Sequence, residues 1–255
     1  MSVQRTDDGS VATLTLPAPG LTHEIRLSMI EHLRAVAADE SVRAVVVTGT
    51  GKAFCVGQDL AQHVAELRGG VPALNVVVEE YNPMVLAMAA LRVPVVVAIN
   101  GACAGAGLGL ALGGDIRVAA AGTKFTTAFV GVGLGSDSAL AARLVHCVGG
   151  SRATELLLFP TPFTAETAEE WGLVHRVVPA EEVLATAQAL AVQLAAGPTA
   201  AYRAVKEVLA TAATDALDTT LGHEARLQAE LGHTHDHAEA VEAFLAKRRP
   251  EFTGR

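Results

Sequence analysis

The valine-rich run Pro94–Ile99 (PVVVAI) passes without a spacer into Asn100–Asp115 (NGACAGAGLGLALGGD), where six of sixteen residues are glycine. The run reads as a strand buried on both faces, the kind that builds parallel sheets. A turn needs only one or two glycines. This many, spaced through an apolar segment, bring backbone close to a packed neighbour or to a group held by exposed N–H donors. The arrangement also occurs upstream: Val42–Gly49 (VRAVVVTG) is a second buried run, and Gly49–Leu60 (GTGKAFCVGQDL) is the glycine-bearing segment after it.

Parallel strands require crossovers between them, and helical patterns stand where those belong. Ser28–Glu40 carries Met29, Leu33 and Val36 at helical spacing, and Tyr81–Leu91 is a second helical stretch. Val11–Leu16 (VATLTL) alternates as a half-buried strand after a hairpin-like Asp-Asp-Gly, while Asp115–Ala120 and Leu173–Pro179 are further strands. Strands alternating with helices give an α/β fold. After Val183 the chain turns Ala-, Leu- and Glu-rich with no strand-like run. The expected division is a core over residues 1–195 and a helical region over 196–255 that covers the core or joins subunits.

At 255 residues, 51% hydrophobic and 18% charged, the chain has material for a sizeable core and falls outside disordered or fibrous classes. A net charge of −8, with Lys247–Arg249 (KRR) the only basic run, argues against nucleic acid as partner. No apolar run reaches the ~18 residues of a membrane span, and the first ten residues lack an apolar signal core. Cys55, Cys103 and Cys147 are odd in number and far apart, which points to reduced thiols, no metal site and a cytoplasmic location.

Loops that leave strands and open helices present unpaired N–H groups to an anion or a carbonyl oxygen. With two such loops, the sequence resembles the crotonase (enoyl-CoA hydratase/isomerase) superfamily over nearly its whole length. The resemblance rests on GKAFCVGQDL, RVPVVVAINGACAGAGLGLALGGDIRVAA, TKF, GSRATELLL, TAEEWGLVHRVVP and FLAKRRPEF, in the family's order. It implies a ββα spiral core with C-terminal helices that build homotrimers or dimers of trimers. It also implies an acyl-CoA thioester substrate, with coenzyme A part of the substrate and no separate cofactor. The thioester oxygen is then held in an oxyanion hole by the backbone N–H groups of Gln58 and Ala106, beside Asp59, Leu60 and Gly105.

Hydratases of this superfamily use two glutamates, and here Gly109 and Phe129 stand at those positions. Eight residues after Phe129 comes Asp137, where several isomerases of the superfamily carry their acting aspartate. Ring-1,2-epoxyphenylacetyl-CoA isomerase-like members are the most similar in YNPMVLAMAALRVPV, AGAG and GQDL. The resemblance therefore implies an isomerase with Asp137 as base and acid and Phe129 packing against the acyl moiety. Enoyl-CoA hydration and non-catalytic acyl-CoA binding are the alternatives. On residue type alone Asp137 also reads as an N-cap of the helix that follows.

Other expectations are plainer. Lys247 and Lys52 are candidate contacts for coenzyme A phosphates. His233, His235 and His237 alternate with Thr234 and Asp236, but Asp236 with Glu239 reads as a cap pair opening the last helix rather than a metal tract. Trp171 reads as packing, Glu79 and Glu80 as solvated helix charges, and acyl selectivity is assigned to Gln62–Asn75.

Overall fold

The computed structural model describes residues 1–69 and 75–255. The chain opens with β1 (Gln4–Asp8), β2 (Val11–Leu16), β3 (Gly20–Leu21), α1 (His23–Ala38), β4 (Ala44–Gly49), β5 (Ala53–Cys55), β6 (Gly57–Gln58) and α2 (Leu60–Arg68). A π-helical turn at Val77–Tyr81 then leads into α3 (Asn82–Ala89), β7 (Val95–Ile99), β8 (Ala102–Ala104), α4 (Ala106–Ala111), β9 (Ile116–Ala120) and β10 (Lys124–Thr126). A 3₁₀ turn at Phe129–Val132 precedes α5 (Leu140–Leu158), β11 (Phe163–Thr164), α6 (Ala165–Glu170) and β12 (Arg176–Val178). The chain ends in α7 (Val183–Ala195), α8 (Thr199–Thr211), α9 (Leu217–Leu231) and α10 (His235–Leu245).

Six strands form the main sheet in the order β1-β2-β4-β7-β9-β12, parallel except for the β1–β2 hairpin. Its valine runs are buried on both faces, as period-two alternation requires. Val45, Val47, Val95, Val97 and Ile99 enter the large cluster that also contains α1 and α3 residues. Ala44, Val46, Val96 and Ala98 face Ala187, Ala191 and Ala195 of α7. Alanine at that spacing lets α7 lie close on the sheet, which completes a layered α/β core.

A second sheet, in the order β11-β10-β8-β5, sets up the site. Strand β5 pairs in parallel with β8, Cys55 opposite Cys103. Two residues beyond each partner stand Gly57 and Gly105, so this one register brings the two glycine segments side by side.

Some boundaries differ from expectation for local reasons. Helix α1 begins at His23 instead of Ser28, because the Thr22 hydroxyl accepts the Ile25 N–H and caps it. Helix α10 is capped by Thr234 and not by Asp236. The buried Asp236 carboxylate instead accepts the N–H groups of Thr253 and Gly254, at 2.7 and 2.8 Å, and clasps the last residues of the chain. Glu79 is exposed as expected, whereas Glu80 is not solvated; it pairs with the buried Arg26. Trp171 packs 5.4 Å from the Phe163 ring. Of the stretch assigned to acyl selectivity, residues 70–74 lie outside the described residues.

Candidate active site

The Gly57 and Gly105 backbones adopt φ of +89° and +53°, a region costly for residues with a Cβ. Each turns the peptide that follows, and those peptides carry the Gln58 and Ala106 N–H groups. The two segments nearly touch: a Cβ on Gly57 would lie 3.4 Å from the Ala106 nitrogen. Ala106 is the first residue of α4, whose N-cap Gly105 offers no side-chain acceptor, so its N–H stays free for a ligand.

These groups open into a cavity of about 470 Å³ lined by Gln58, Leu60, Gly105, Ala106, Phe129 and Asp137 together with His63, Tyr81 and several aliphatic side chains. Six of the residues expected to form the site therefore meet in one place. The Phe129 ring lies against Gly105, 3.7 Å from where a Cβ would stand. Leu60 is exposed at the rim. Asp59 serves as the N-cap of α2, accepting the Gln62 N–H at 2.8 Å. Lys247 occupies the exposed turn after α10 and does not line this cavity, and Lys52 lines a separate groove with Lys124.

Asp137 is the only carboxylate among the described lining residues. Its carboxylate caps no helix: α5 begins at Leu140, and Oδ1 accepts the Ser138 hydroxyl at 2.8 Å. Burial pushes its pKa above the ordinary aspartate value, and the Ser138 hydrogen bond pulls the other way. The backbone beside it is unusual, with Ser138 and Ala139 both left-handed at φ of +52° and +59°. Strain of this kind persists where the surroundings over-determine it and gathers at functional sites.

That left-handed turn explains Gly109. A Cβ on Gly109 would lie 2.6 Å from the Ser138 carbonyl oxygen and 2.9 Å from the Ser138 Cβ. The backbone next to Asp137 thus fills the space that a side chain at position 109 would need, and Arg143 donates to the Gly109 carbonyl from the other side. Gly109→Glu is expected to lose about 1–3 kcal/mol of stability by overpacking and to gain no hydration of 2-enoyl-CoA. Thermal denaturation and a hydration assay check both, and hydration with an unchanged Tm would contradict the packing argument.

Other titratable groups nearby do different work. Burial pushes the Cys55 thiol up to about 12 and Cys103 well above its ordinary value, so neither is a nucleophile. Among the described residues no group of three His, Cys, Asp or Glu side chains is placed to hold a metal ion.

Sequence reasoning covered His63 only as part of the Gln62–Asn75 stretch assigned to acyl selectivity, and it missed Tyr81 in the cavity and the buried Arg26 beside Tyr81. His63 Nδ1 sits 3.2 Å from Gln58 Nε2. Arg26 is 1% exposed on the inner face of α1, its Nε donates to Glu80 Oε2 at 2.6 Å, and its guanidinium lies 5.0 Å from the Tyr81 ring centroid. A signal was present: Arg26 shares helical spacing with Met29, Ile30 and Leu33, and an arginine on an apolar stripe needs a buried partner.

The enoyl-CoA hydratase/isomerase family model matches residues 6–255. The chain is 42% identical over 250 residues to a 1,2-epoxyphenylacetyl-CoA isomerase of Escherichia coli, covering 96% of this chain and 95% of that one. It is 32% identical over 250 residues to a 2,3-dehydroadipyl-CoA hydratase of the same organism, covering 96% of each. A solved enoyl-CoA hydratase from Polaromonas sp. JS666 superimposes with a TM-score of 0.92 at 31% identity, over 99% of this chain and 100% of the other. In sequence and in fold, the chain belongs to the enoyl-CoA hydratase/isomerase family of the crotonase superfamily.

Proposed function

We propose that this protein is an acyl-CoA isomerase in which Asp137 moves a proton through a thioester enolate. The observation that carries this reading is the single carboxylate among the described residues of the cavity, which Gln58 and Ala106 also line, Ala106 with its N–H free at the start of α4. The thioester oxygen accepts from Gln58 N–H and Ala106 N–H, which stabilises negative charge on that oxygen. Asp137 removes a proton from carbon, the resulting dienolate is held by the amides, and the protonated Asp137 returns the proton to a different carbon. One group serving in turn as base and acid suffices for this step. Phe129 and the aliphatic side chains pack the acyl group, and coenzyme A enters as part of the substrate. Similarity to the 1,2-epoxyphenylacetyl-CoA isomerase also supports an isomerase acting on a double bond or a ring-bearing acyl group.

Water addition is the second reading, favoured by one observation: His63 supplies another proton-transfer group in the same cavity. A panel of 2-enoyl and 3-enoyl thioesters in D₂O separates the two. Isomerisation gives deuterium at carbon without a hydroxylated product, whereas hydration faster than exchange would overturn the isomerase reading.

The pH dependence carries a defined sign. The base must be ionised, so kcat/KM rises with pH through the Asp137 ionisation, at a pH above the ordinary aspartate value because burial raises it. The Ser138 hydroxyl stabilises the charged form, so Ser138→Ala is expected to move this acid limb to higher pH. A move to lower pH in the kcat/KM profile would contradict the assignment.

Assembly as a homotrimer or a dimer of trimers belongs to the same proposal. It is supported by the large apolar side chains that the last helices leave exposed, among them Leu209, Leu221 and Phe244.

A further inference from the structure

The cavity has a polar feature that the proton transfer does not use. Tyr81 is 1% exposed yet lines the cavity, close enough to Asp137 for the carboxylate's charge to bear on its ionisation. Its phenol oxygen accepts from Arg26 Nη1 at 3.5 Å. Among the described residues its own O–H makes no hydrogen bond to an acceptor, and the Asp137 carboxylate takes its hydrogen bond from Ser138. Burial raises the phenol pKa, so the proton stays on oxygen. A buried O–H without an acceptor is costly, and the cavity that Tyr81 lines is where a ligand can supply one.

The surrounding structure fixes this donor. Tyr81 ends the π-helical turn, where the Asn82 N–H donates to the Val77 carbonyl five residues back. Pro83 has no N–H to give to the Glu79 carbonyl, which removes one α-helical bond at that point. Turns of this kind are frequent at functional sites. This one directs Glu80 onto Arg26 and His23, at 2.6 and 2.7 Å, while Tyr81 faces the cavity. Arg26 also donates to the Leu21 carbonyl, tying the cluster to β3.

We propose that Tyr81 is a specificity-determining hydrogen-bond donor to an oxygen carried on the acyl group, which makes the site selective for oxygen-bearing acyl thioesters over their hydrocarbon counterparts. The proposal rests on the acyl-CoA reading above but not on the identity of the proton-transfer step. The cavity lining also includes the aliphatic Val56, Leu67, Val132 and Leu134, and its other side-chain donors, Gln58 and His63, lie 3.2 Å from each other. A site built to donate such a bond penalises the analogue that lacks the oxygen.

The test uses the full chain and two matched pairs of thioesters: butanoyl-CoA with 3-hydroxybutanoyl-CoA, and phenylacetyl-CoA with 2-hydroxyphenylacetyl-CoA. Calorimetry is expected to show at least one oxygenated member binding roughly tenfold more tightly than its partner, and Tyr81→Phe is expected to erase that preference while leaving the other member's affinity unchanged. No preference in either pair, a preference that survives Tyr81→Phe, or equal weakening of both members would overturn the proposal. If Tyr81→Phe does not fold, fluorotyrosine incorporation into Tyr202→Phe reports on Tyr81 alone, since the chain has two tyrosines. The more acidic phenol should widen the preference, and an unchanged one would again overturn it. The D₂O experiment reads the isomerase assignment separately: a binding preference without carbon exchange would remove that assignment and leave Tyr81's role standing.

Discussion

Asp137→Asn is expected to bind acyl thioesters with near-wild-type affinity and to lose about 10²–10⁴-fold in kcat for isomerisation. Asparagine matches aspartate in size and keeps an oxygen able to accept the Ser138 hydroxyl, so the left-handed turn at Ser138 and Ala139 has no reason to change. The Gln58 and Ala106 amides are untouched, so ground-state binding of the thioester survives. What is lost is a group that can take a proton from carbon and hand it back. Single-turnover kinetics, deuterium exchange and a calorimetric Kd measured together separate these effects. Unchanged exchange would move the chemistry to His63. Lost binding with intact exchange per bound molecule would make Asp137 a binding group only.

The second large effect is expected at Gly107, whose substitution acts on the amides through packing. A Cβ there would lie 2.1 Å from the Cys55 carbonyl oxygen and 2.8 Å from the Cys55 Cβ. Both belong to β5, which is held by its pairing with β8, so the strand has little room to yield. Gly107→Ala must push α4 away from β5, and Ala106 moves with it. The expected cost is about 1–3 kcal/mol of stability from overpacking. Loss of one aligned oxyanion donor adds a fall of about 10²–10³ in kcat. Tm and kcat should drop together while Asp137's acid limb in the pH profile stays in place. A normal kcat in a destabilised protein would show that the Ala106 amide is not a donor to the reacting oxygen.

Much of this architecture was legible in the chain because it is written in short-range patterns. The valine runs at Ala44–Gly49 and Val95–Ile99 are uninterrupted, as two-sided burial demands, and both are strands. Asp137 stood out because Gly109 and Phe129 cannot carry protons. The elements less well read depend on partners distant in sequence. Glu80 looked solvated until Arg26, 54 residues away, neutralised it. Asp236 looked like a helix cap, yet its acceptors are filled from Thr253 and Gly254. Tyr81 gave no signal of its own, because its position in the cavity comes from a π-helical turn that no hydrophobic period announces. Charge partners and backbone irregularities of this kind are set by tertiary contact, whereas strands and glycine loops announce themselves locally.

The contact between Gly109 and Ser138 also bears on how this site can be altered. Position 109 and the turn after Asp137 compete for one volume, so in this chain a side chain at 109 and the present backbone at Ser138 exclude each other. The backbone at Ser138 and Ala139 has to be re-routed before a glutamate at 109 fits. Which side chain position 109 can carry is therefore decided by the conformation of the loop after Asp137, and not by α4 alone.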